Sequence, residues 1–243
     1  MLHNIDINKM NQLMKENETA KEIITTLLEN HHTAVSTISH ELRNPMTLLF
    51  SSLQVMQIQH PEVKNFPHWN QTLNDVEFTC QLLTDLSSFN NSHTLHYSVF
   101  SIEQLLKNIA ISFAITLEEQ NTPIEFTSSI SSELGELTGD KTKLEEVFLN
   151  LLKNAKEAVK PTGKINLCAY RHSDALVILI KDNGCGIPCE HLESIFEPFI
   201  TYKTDGTGLG LALSKRIIEA HGGSLSVSSI ENKGTTFTVS LPI

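Results

Sequence analysis

Asp182-Asn183-Gly184-Cys185-Gly186-Ile187-Pro188 closes the largely apolar run Leu176 to Lys181. A carboxylate at the end of a buried strand can accept a hydrogen bond from an exocyclic amine such as adenine N6. Gly184 and Gly186 allow positive φ and close approach of backbone to a flat ligand. A D-N-G run is also ordinary turn chemistry, so its neighbours must decide. Downstream, Gly206-Thr207-Gly208-Leu209-Gly210-Leu211 opens a helix. Backbone N–H groups at a glycine-rich helix start form an anion site for a polyphosphate. The G-x-G-x-G spacing is not the dinucleotide fingerprint, and no G-K-[ST] follows to make a P-loop. Upstream, Asn150-Leu151-Leu152-Lys153-Asn154-Ala155-Lys156-Glu157-Ala158 puts Asn150 and Asn154 one turn apart on one helical face. Two amide oxygens there suit Mg²⁺ or phosphate-bound water, because hard cations prefer oxygen ligands.

Around these segments the chain has two rhythms. Strand-like runs (Ile124 to Ile130, Lys164 to Tyr170, Leu176 to Lys181, Ser224 to Ile230, Thr235 to Leu241) alternate with helices near Ile102 to Glu118, Lys141 to Val159 and Leu209 to Ala220. All 11 glycines fall in this half. Before about Asn91 the sequence is helical. Leu13, Ala20, Leu27 and Ala34 repeat at heptad spacing with Ile24 and Ile38 beside them, and the apolar face continues through Leu42, Met46, Leu49, Leu53 and Met56. Pro61 and Pro67 bracket a break before a second helix, Trp69 to Phe89. Two antiparallel helices cannot bury so long a face alone, so pairing with a second copy into a four-helix bundle is expected. A boundary is expected near His93 to Tyr97.

The formal charge of −10, from 18 basic and 28 acidic residues, argues against nucleic-acid binding. It leaves room for a phosphate ligand held with a cation. Four cysteines make no disulfide framework, and Cys185 and Cys189 lack the second pair that a zinc site needs. No apolar run is long enough to span a bilayer. The N-terminus lacks a signal pattern.

One further segment carries chemistry: Ser39-His40-Glu41-Leu42-Arg43-Asn44-Pro45. With Ile38 and Leu42 on the heptad seam, His40 is expected to face outward. A neutral imidazole nitrogen is a nucleophile near neutral pH, and Glu41 can orient it and accept its other proton. Alone, a surface histidine beside a glutamate is an ordinary solvated helix face. The His31-His32 pair is read in that way.

In this order, the segments resemble the H, N, G1, F and G2 boxes of the bacterial sensor histidine kinases. The boxes are SHELRNP, NLLKNAKEA, DNGCGIP, FEPF at Phe196 to Phe199, and GTGLGLAL, closed by GTTFTVSLP. The resemblance covers about Thr33 to Ile243. It implies a helical hairpin that forms a dimeric four-helix bundle, followed by a Bergerat (GHKL) α/β sandwich. The implied parts are an N-terminal helical extension over residues 1–32, a dimerisation and phosphotransfer domain over 33–95, and a catalytic ATP-binding domain over 96–243.

By motif position, His40 is the expected phosphoacceptor, Glu41 its helper, and Asn44 a residue that orients water for dephosphorylation of a partner. Asn154 is expected to ligate Mg²⁺ with Asn150 in support. Asp182 is expected to read adenine, with Thr235 beside it and Gly184, Gly186 and Ile187 shaping the pocket. Gly206, Thr207, Gly208, Leu209 and Gly210 would line the phosphates under a short lid, Ile200 to Asp205, with Phe199 at its base. Lys153 and Lys203 are expected phosphate contacts. The implied activity is ATP-dependent autophosphorylation of His40 and transfer to an aspartate of a response regulator receiver domain, on the cytoplasmic side. Input would come through a partner, through the N-terminal helix, or from a longer kinase of which this chain is a fragment. ATPases of the gyrase, heat-shock chaperone and mismatch-repair type share the pocket but use a Glu where this sequence has Asn150.

Overall fold

The structure, a computed structural model, describes residues 7–92, 94–203 and 206–243. The first six residues of the expected extension, His93 of the expected boundary, and Thr204 and Asp205 of the expected lid lie outside it. The chain divides into two units, Met1–Asn91 and Ser92–Ile243.

The first unit is helical: α1 (Ile7–Glu16), α2 (Glu18–Gln59) and α3 (Trp69–Asn90). The sequence reads as one continuous helix before residue 33, but Asn17 interrupts it in extended geometry (φ −140°, ψ 109°). Its side chain accepts from the Ala20 N–H at 3.0 Å, capping α2. An internal Asn that can satisfy a helix N-terminus competes with helix continuation. From there α2 runs unbroken for 42 residues and contains Pro45. Proline has no N–H, so the Glu41 carbonyl loses its helical donor one turn below.

A 3₁₀ turn at Pro61–Asn65 reverses the chain, and Trp69 Nε1 donates to Gln57 Oε1 at 2.9 Å across the hairpin. From Ser39 onward the less exposed α2 positions are Ser39, Arg43, Met46, Phe50, Leu53 and Gln57. This is the seam with α3, where Arg43 Nη2 donates to the Leu83 carbonyl at 3.1 Å. Ile38 and Leu42, expected on the seam, lie beside it at 58% and 50% exposure. A 3.5-residue period leaves two adjacent stripes available, and the intrachain hairpin uses the neighbouring one.

The second unit is a two-layer α/β sandwich. Its elements are β1 (Ser98–Ser101), α4 (Ile102–Glu119), β2 (Glu125–Ile130), β3 (Glu136–Gly139), α5 (Lys141–Ala158), β4 (Lys164–His172), β5 (Ala175–Asp182), α6 (Gly210–Ala220), β6 (Ser224–Ile230) and β7 (Gly234–Pro242). The main sheet has the order β2-β4-β5-β7-β6, with β2 and β4 parallel and the other pairs antiparallel. β1 and β3 form a separate antiparallel ribbon.

Alternation along the strands sends Ile165, Leu167 and Ala169, then Leu176, Ile178 and Ile180, then Phe237, Val239 and Leu241 to one face, all buried. Leu105, Leu106 and Ile109 of α4, Val147, Phe148 and Leu151 of α5, and Ile217 and Ile218 of α6 close over that face. Side-chain oxygens start two of these helices: Ser101 accepts from Gln104 N–H and Asp140 from Lys143 N–H. The same period of two that buries Ile178 and Ile180 carries Asp182 to the inner face, as Phe237 and Val239 do for Thr235. Two polar side chains are thereby delivered to the end of an otherwise apolar layer.

Candidate active site

Asp182 and Thr235 form the floor. Asp182 is 4% exposed. Its Oδ1 accepts from the Gly184 N–H at 2.8 Å and from the Thr235 N–H at 3.3 Å. Both bonds fall on one oxygen, which leaves Oδ2 for an incoming donor. Burial pushes the carboxyl above the usual aspartate range; the two backbone N–H groups and the charge of Lys203 pull it only part of the way back. A carboxylate that still lacks one donor and is poorly solvated gains when a ligand amine supplies that donor.

Close approach explains the residue types next to it. Gly186 has φ +69°, and a Cβ there would meet the Ile230 carbonyl carbon at 2.8 Å. At Gly184 a Cβ would stand 2.6 Å from the Ala158 carbonyl carbon, at the end of α5. The loop is fixed by Cys185 N–H to Ala158 O at 3.0 Å and Ile187 N–H to Ser229 Oγ at 2.8 Å. Ser229 Oγ also donates to Gly234 O and lies 2.9 Å from Thr235 Oγ1, so the floor and the loop share one hydroxyl.

The second wall is the Asn150–Asn154 face of α5 against the start of α6. Asn150 Nδ2 donates to Ser214 Oγ at 2.8 Å, and Asn154 Nδ2 donates to Asn150 O at 3.0 Å. Gly210 lets α6 come this close, since a Cβ there would stand 2.7 Å from Asn150 Oδ1. Leu209, at the N-cap of α6, supplies no side-chain cap, so the N–H groups of the first turn await an acceptor. With its donors engaged below, Asn154 presents Oδ1 outward, where Lys203 Nζ donates to it at 2.8 Å. The same Nζ lies 2.5 Å from Glu157 Oε2. An ammonium held by an amide oxygen and a carboxylate shows that this donor set fits a cation. Among the described residues no cluster of His, Cys, Asp or Glu would hold a metal unaided. A divalent ion here would complete its shell with water and ligand phosphates.

The segment between Phe199 and Gly208 is closed at its base by Phe199 N–H to Gly208 O at 2.9 Å. Both residues are left-handed (φ +66° and +68°), and a Cβ on Gly208 would meet the Phe199 carbonyl carbon at 2.6 Å. Tyr202 stacks on His191 with ring centroids 3.7 Å apart, and its hydroxyl lies 2.9 Å from Ser194 Oγ.

A buried aspartate floor, paired amides, a cation position and an uncapped helix start on an open sandwich are an ATP pocket. A family model described as histidine kinase-, DNA gyrase B- and HSP90-like ATPase matches residues 139–243. The signal transduction histidine-protein kinase AtoS of Escherichia coli K12 is 33% identical over 207 residues, which is 85% of this chain and 34% of AtoS. The solved catalytic domain of histidine kinase ThkA is 31% identical, with a TM-score of 0.55, over 60% of this chain and 95% of that domain. The chain belongs to the bacterial sensor histidine kinases. ThkA in complex with the response regulator protein TrrA also shares the fold, with a TM-score of 0.61 over 95% of this chain and 66% of that one, at 24% identity. The chain spans 34% to 48% of the length of the three curated relatives AtoS and sporulation kinases C and B of Bacillus subtilis.

In the second unit, bonds and close approaches join Asn150 with Asn154 and Gly210 and Asn154 with Lys203, Asp182 with Gly184 and Thr235, Gly186 and Ile187 with the end of β6, Phe199 with Gly208 and Gly206 with Thr201. Leu209 is fully buried and acts as a packing residue under the helix start; its N–H lies 3.4 Å from Thr207 Oγ1. Lys153 is exposed on α5, and the structure gives it no bond to the paired amides. His40, Glu41 and Asn44 lie exposed on α2 in the helical unit. Among the described residues no hydrogen bond joins His40 to Glu41, because consecutive helical side chains point about 100° apart.

Three residues escape the motif reading: Ser214, Ser229 and Glu157. The first two had a signal, since each is a polar residue on an inward register otherwise filled by Leu213 and Ile217 or by Leu225 and Val227. Glu157 had none, because its partner lies 46 residues away.

Proposed function

We propose that this chain is an autophosphorylating protein histidine kinase that passes the γ-phosphoryl group of ATP to His40 and then to an aspartate of a response regulator receiver domain. The observation that carries the reading is the convergence of the Asp182 floor, the Asn150–Asn154 face and the uncapped start of α6 in one pocket, in a chain that also presents an exposed His40. The AtoS name and the ThkA–TrrA complex support the activity and the partner class.

Asp182 Oδ2 accepts the adenine amine while Gly184, Gly186 and Ile187 admit the ring. The N–H groups from Gly208 into α6 and the ammonium of Lys203 hold the polyphosphate, with Lys153 at its edge. Asn154, supported by Asn150, holds Mg²⁺, which when bound offsets charge on the β- and γ-phosphoryl oxygens. A ring nitrogen of His40 uses its lone pair to form the N–P bond. The bond from Pγ to the bridging oxygen breaks, and its electrons leave with ADP. The other ring nitrogen gives up its proton to Glu41, which makes no hydrogen bond to the ring in this structure and reaches it by a change of side-chain rotamer. A carboxylate oxygen of the receiver aspartate then displaces the imidazole. Asn44, one turn beyond His40, orients a water that attacks the phosphorus of the partner's aspartyl phosphate; the bond to the aspartate oxygen breaks and inorganic phosphate leaves, an activity opposed to the transfer. Asn150, an amide bonded to Ser214, cannot take a proton from water, which disfavours steady hydrolysis of the gyrase type.

The helical unit works as a homodimer. Its exposed Ile38, Leu42, Leu49 and Met56 form a stripe that a second copy would bury as a four-helix bundle. No helix among the described residues is long and apolar enough to cross a membrane. We assign the reaction to the cytoplasm, where ATP and receiver domains occur.

Incubation with γ-³²P-ATP and Mg²⁺ tests the reading. Wild type acquires acid-labile, base-stable label; His40→Gln and Asn154→Ala do not. Asn44→Ala keeps its label and loses partner dephosphorylation. Label that survives His40→Gln refutes the assignment.

A further inference from the structure

Lys203 is more than a surface lysine near a pocket. Its backbone is held by Thr201, whose Oγ1 accepts from Lys203 N–H at 3.2 Å. The preceding Tyr202 is docked on His191 and Ser194. The ammonium is thus delivered to Asn154 Oδ1 and Glu157 Oε2, which lie one turn apart on α5 and form a two-oxygen cation seat. These are the hard donors that a divalent ion would use from the protein side. An ammonium and a divalent cation repel, and they cannot share the same amide oxygen at bonding distance.

We propose that Glu157 and Lys203 form a cation-exchange latch: the ammonium occupies the metal-facing oxygens until the metal–nucleotide complex arrives, then moves to the polyphosphate. Glu157 is the positioning residue that returns it. This rests on the reading of Asn154 as the metal-holding residue. The latch makes two demands. The metal must displace a resident cation, so Lys203 raises the Mg²⁺ concentration needed to tighten nucleotide binding. Without metal, Lys203 is divided between Glu157 and the phosphates, so Glu157 weakens metal-free binding.

The test is equilibrium binding of a fluorescent, non-hydrolysable ATP analogue, with Mg²⁺ titrated or chelated, and with melting curves to show that each variant is folded. Lys203→Met lowers the half-saturating Mg²⁺ about two- to fivefold, the scale of a partly exposed ion pair, and weakens metal-free binding. Glu157→Gln tightens metal-free binding by a similar factor, and in the Lys203→Met background it loses most of that effect. A merely structural role does not produce opposite signs from the two partners. The latch is overturned by an unchanged Mg²⁺ requirement in Lys203→Met, or by a Glu157→Gln effect that is the same with and without Lys203. Asn154→Ala separates the two levels. Loss of the Mg²⁺ response there with an uncoupled pair sinks the latch alone, whereas an intact response sinks the metal assignment and the latch with it.

Discussion

The helical and α/β units spend their apolar residues differently. Among the described residues of the helical unit only Val76 and Leu83 are buried apolar side chains, while Leu48 and Ile58 are 70% and 77% exposed. In the α/β unit Leu144, Val147, Phe148, Leu151 and Leu152 of a single helix are all completely buried. A layer that closes on itself specifies a fixed pocket. A hairpin that leaves its apolar stripe exposed fits the dimer proposed above, in which His40 would meet first a nucleotide domain and then a receiver domain. The pocket's geometry is therefore settled within one chain, whereas on the dimer proposal the geometry around His40 would depend on assembly.

The largest effect tests that difference directly. Phe148→Ala removes a fully buried ring from the α/β core and is expected to cost about 3–5 kcal/mol. Denaturant unfolding of that unit should show the loss at every protein concentration. The helical unit should instead unfold at a midpoint that rises with concentration, as expected when folding is linked to association. A concentration-independent midpoint for the helices would break the comparison and the dimer with it.

The next effect sharpens it inside the pocket. Asp182→Asn keeps an Oδ1 acceptor for the Gly184 and Thr235 N–H groups but replaces Oδ2 with a donor. ATP-analogue affinity is expected to fall about tenfold to a hundredfold, the loss of a hydrogen bond to a charged group. Stability should move the other way. The folded carboxyl titrates above its unfolded value because burial disfavours the charge. Between those two pH values the folded protein holds more protons than the unfolded one, so stability falls as pH rises through the window. Asp182→Asn should abolish that slope and match or exceed the wild-type melting temperature at neutral pH. A variant that binds normally would remove Asp182 from adenine recognition.

The same contrast governs what was legible in the sequence. Ser224 to Ile230 reads as a strand to the residue, and Lys164, Ser224 and Ile102 begin their elements where expected, because alternation and caps are local signals. The glycines of the pocket were legible too, since close approach leaves few alternatives. Pairings across long separations were not. The β1–β3 ribbon joins segments of four residues some 38 positions apart, too short to show a period. The latch partner of Lys203 was hidden for the same reason. In the helices the period was clear but not the choice of stripe, because a heptad offers two adjacent faces and only packing selects one.

The smallest effect tests the cap of the helix that carries Asn150 and Asn154. Asp140 is 5% exposed and starts α5: Oδ1 accepts from Lys143 N–H at 3.1 Å and Oδ2 from His96 N–H at 2.8 Å. Its own N–H donates to His221 Nε2 at 2.9 Å. Burial pushes this carboxyl up, yet the N–H groups of His96, Lys143 and Thr142 and the charge of His96 outweigh burial and hold it below the usual range. It is therefore the mirror of Asp182. Its stabilisation is fully present above the unfolded pKa and is lost as pH falls through the depressed folded one. Asp140→Ala should cost about 1–2 kcal/mol near neutral pH, the scale of a lost N-cap. Part of that cost should disappear in acid, while ATP-analogue affinity changes little because Asn150 lies more than two turns further along α5. Equal destabilisation at neutral and acid pH would mean that packing around Asp140, and not its charge on the helix start, holds α5 in place.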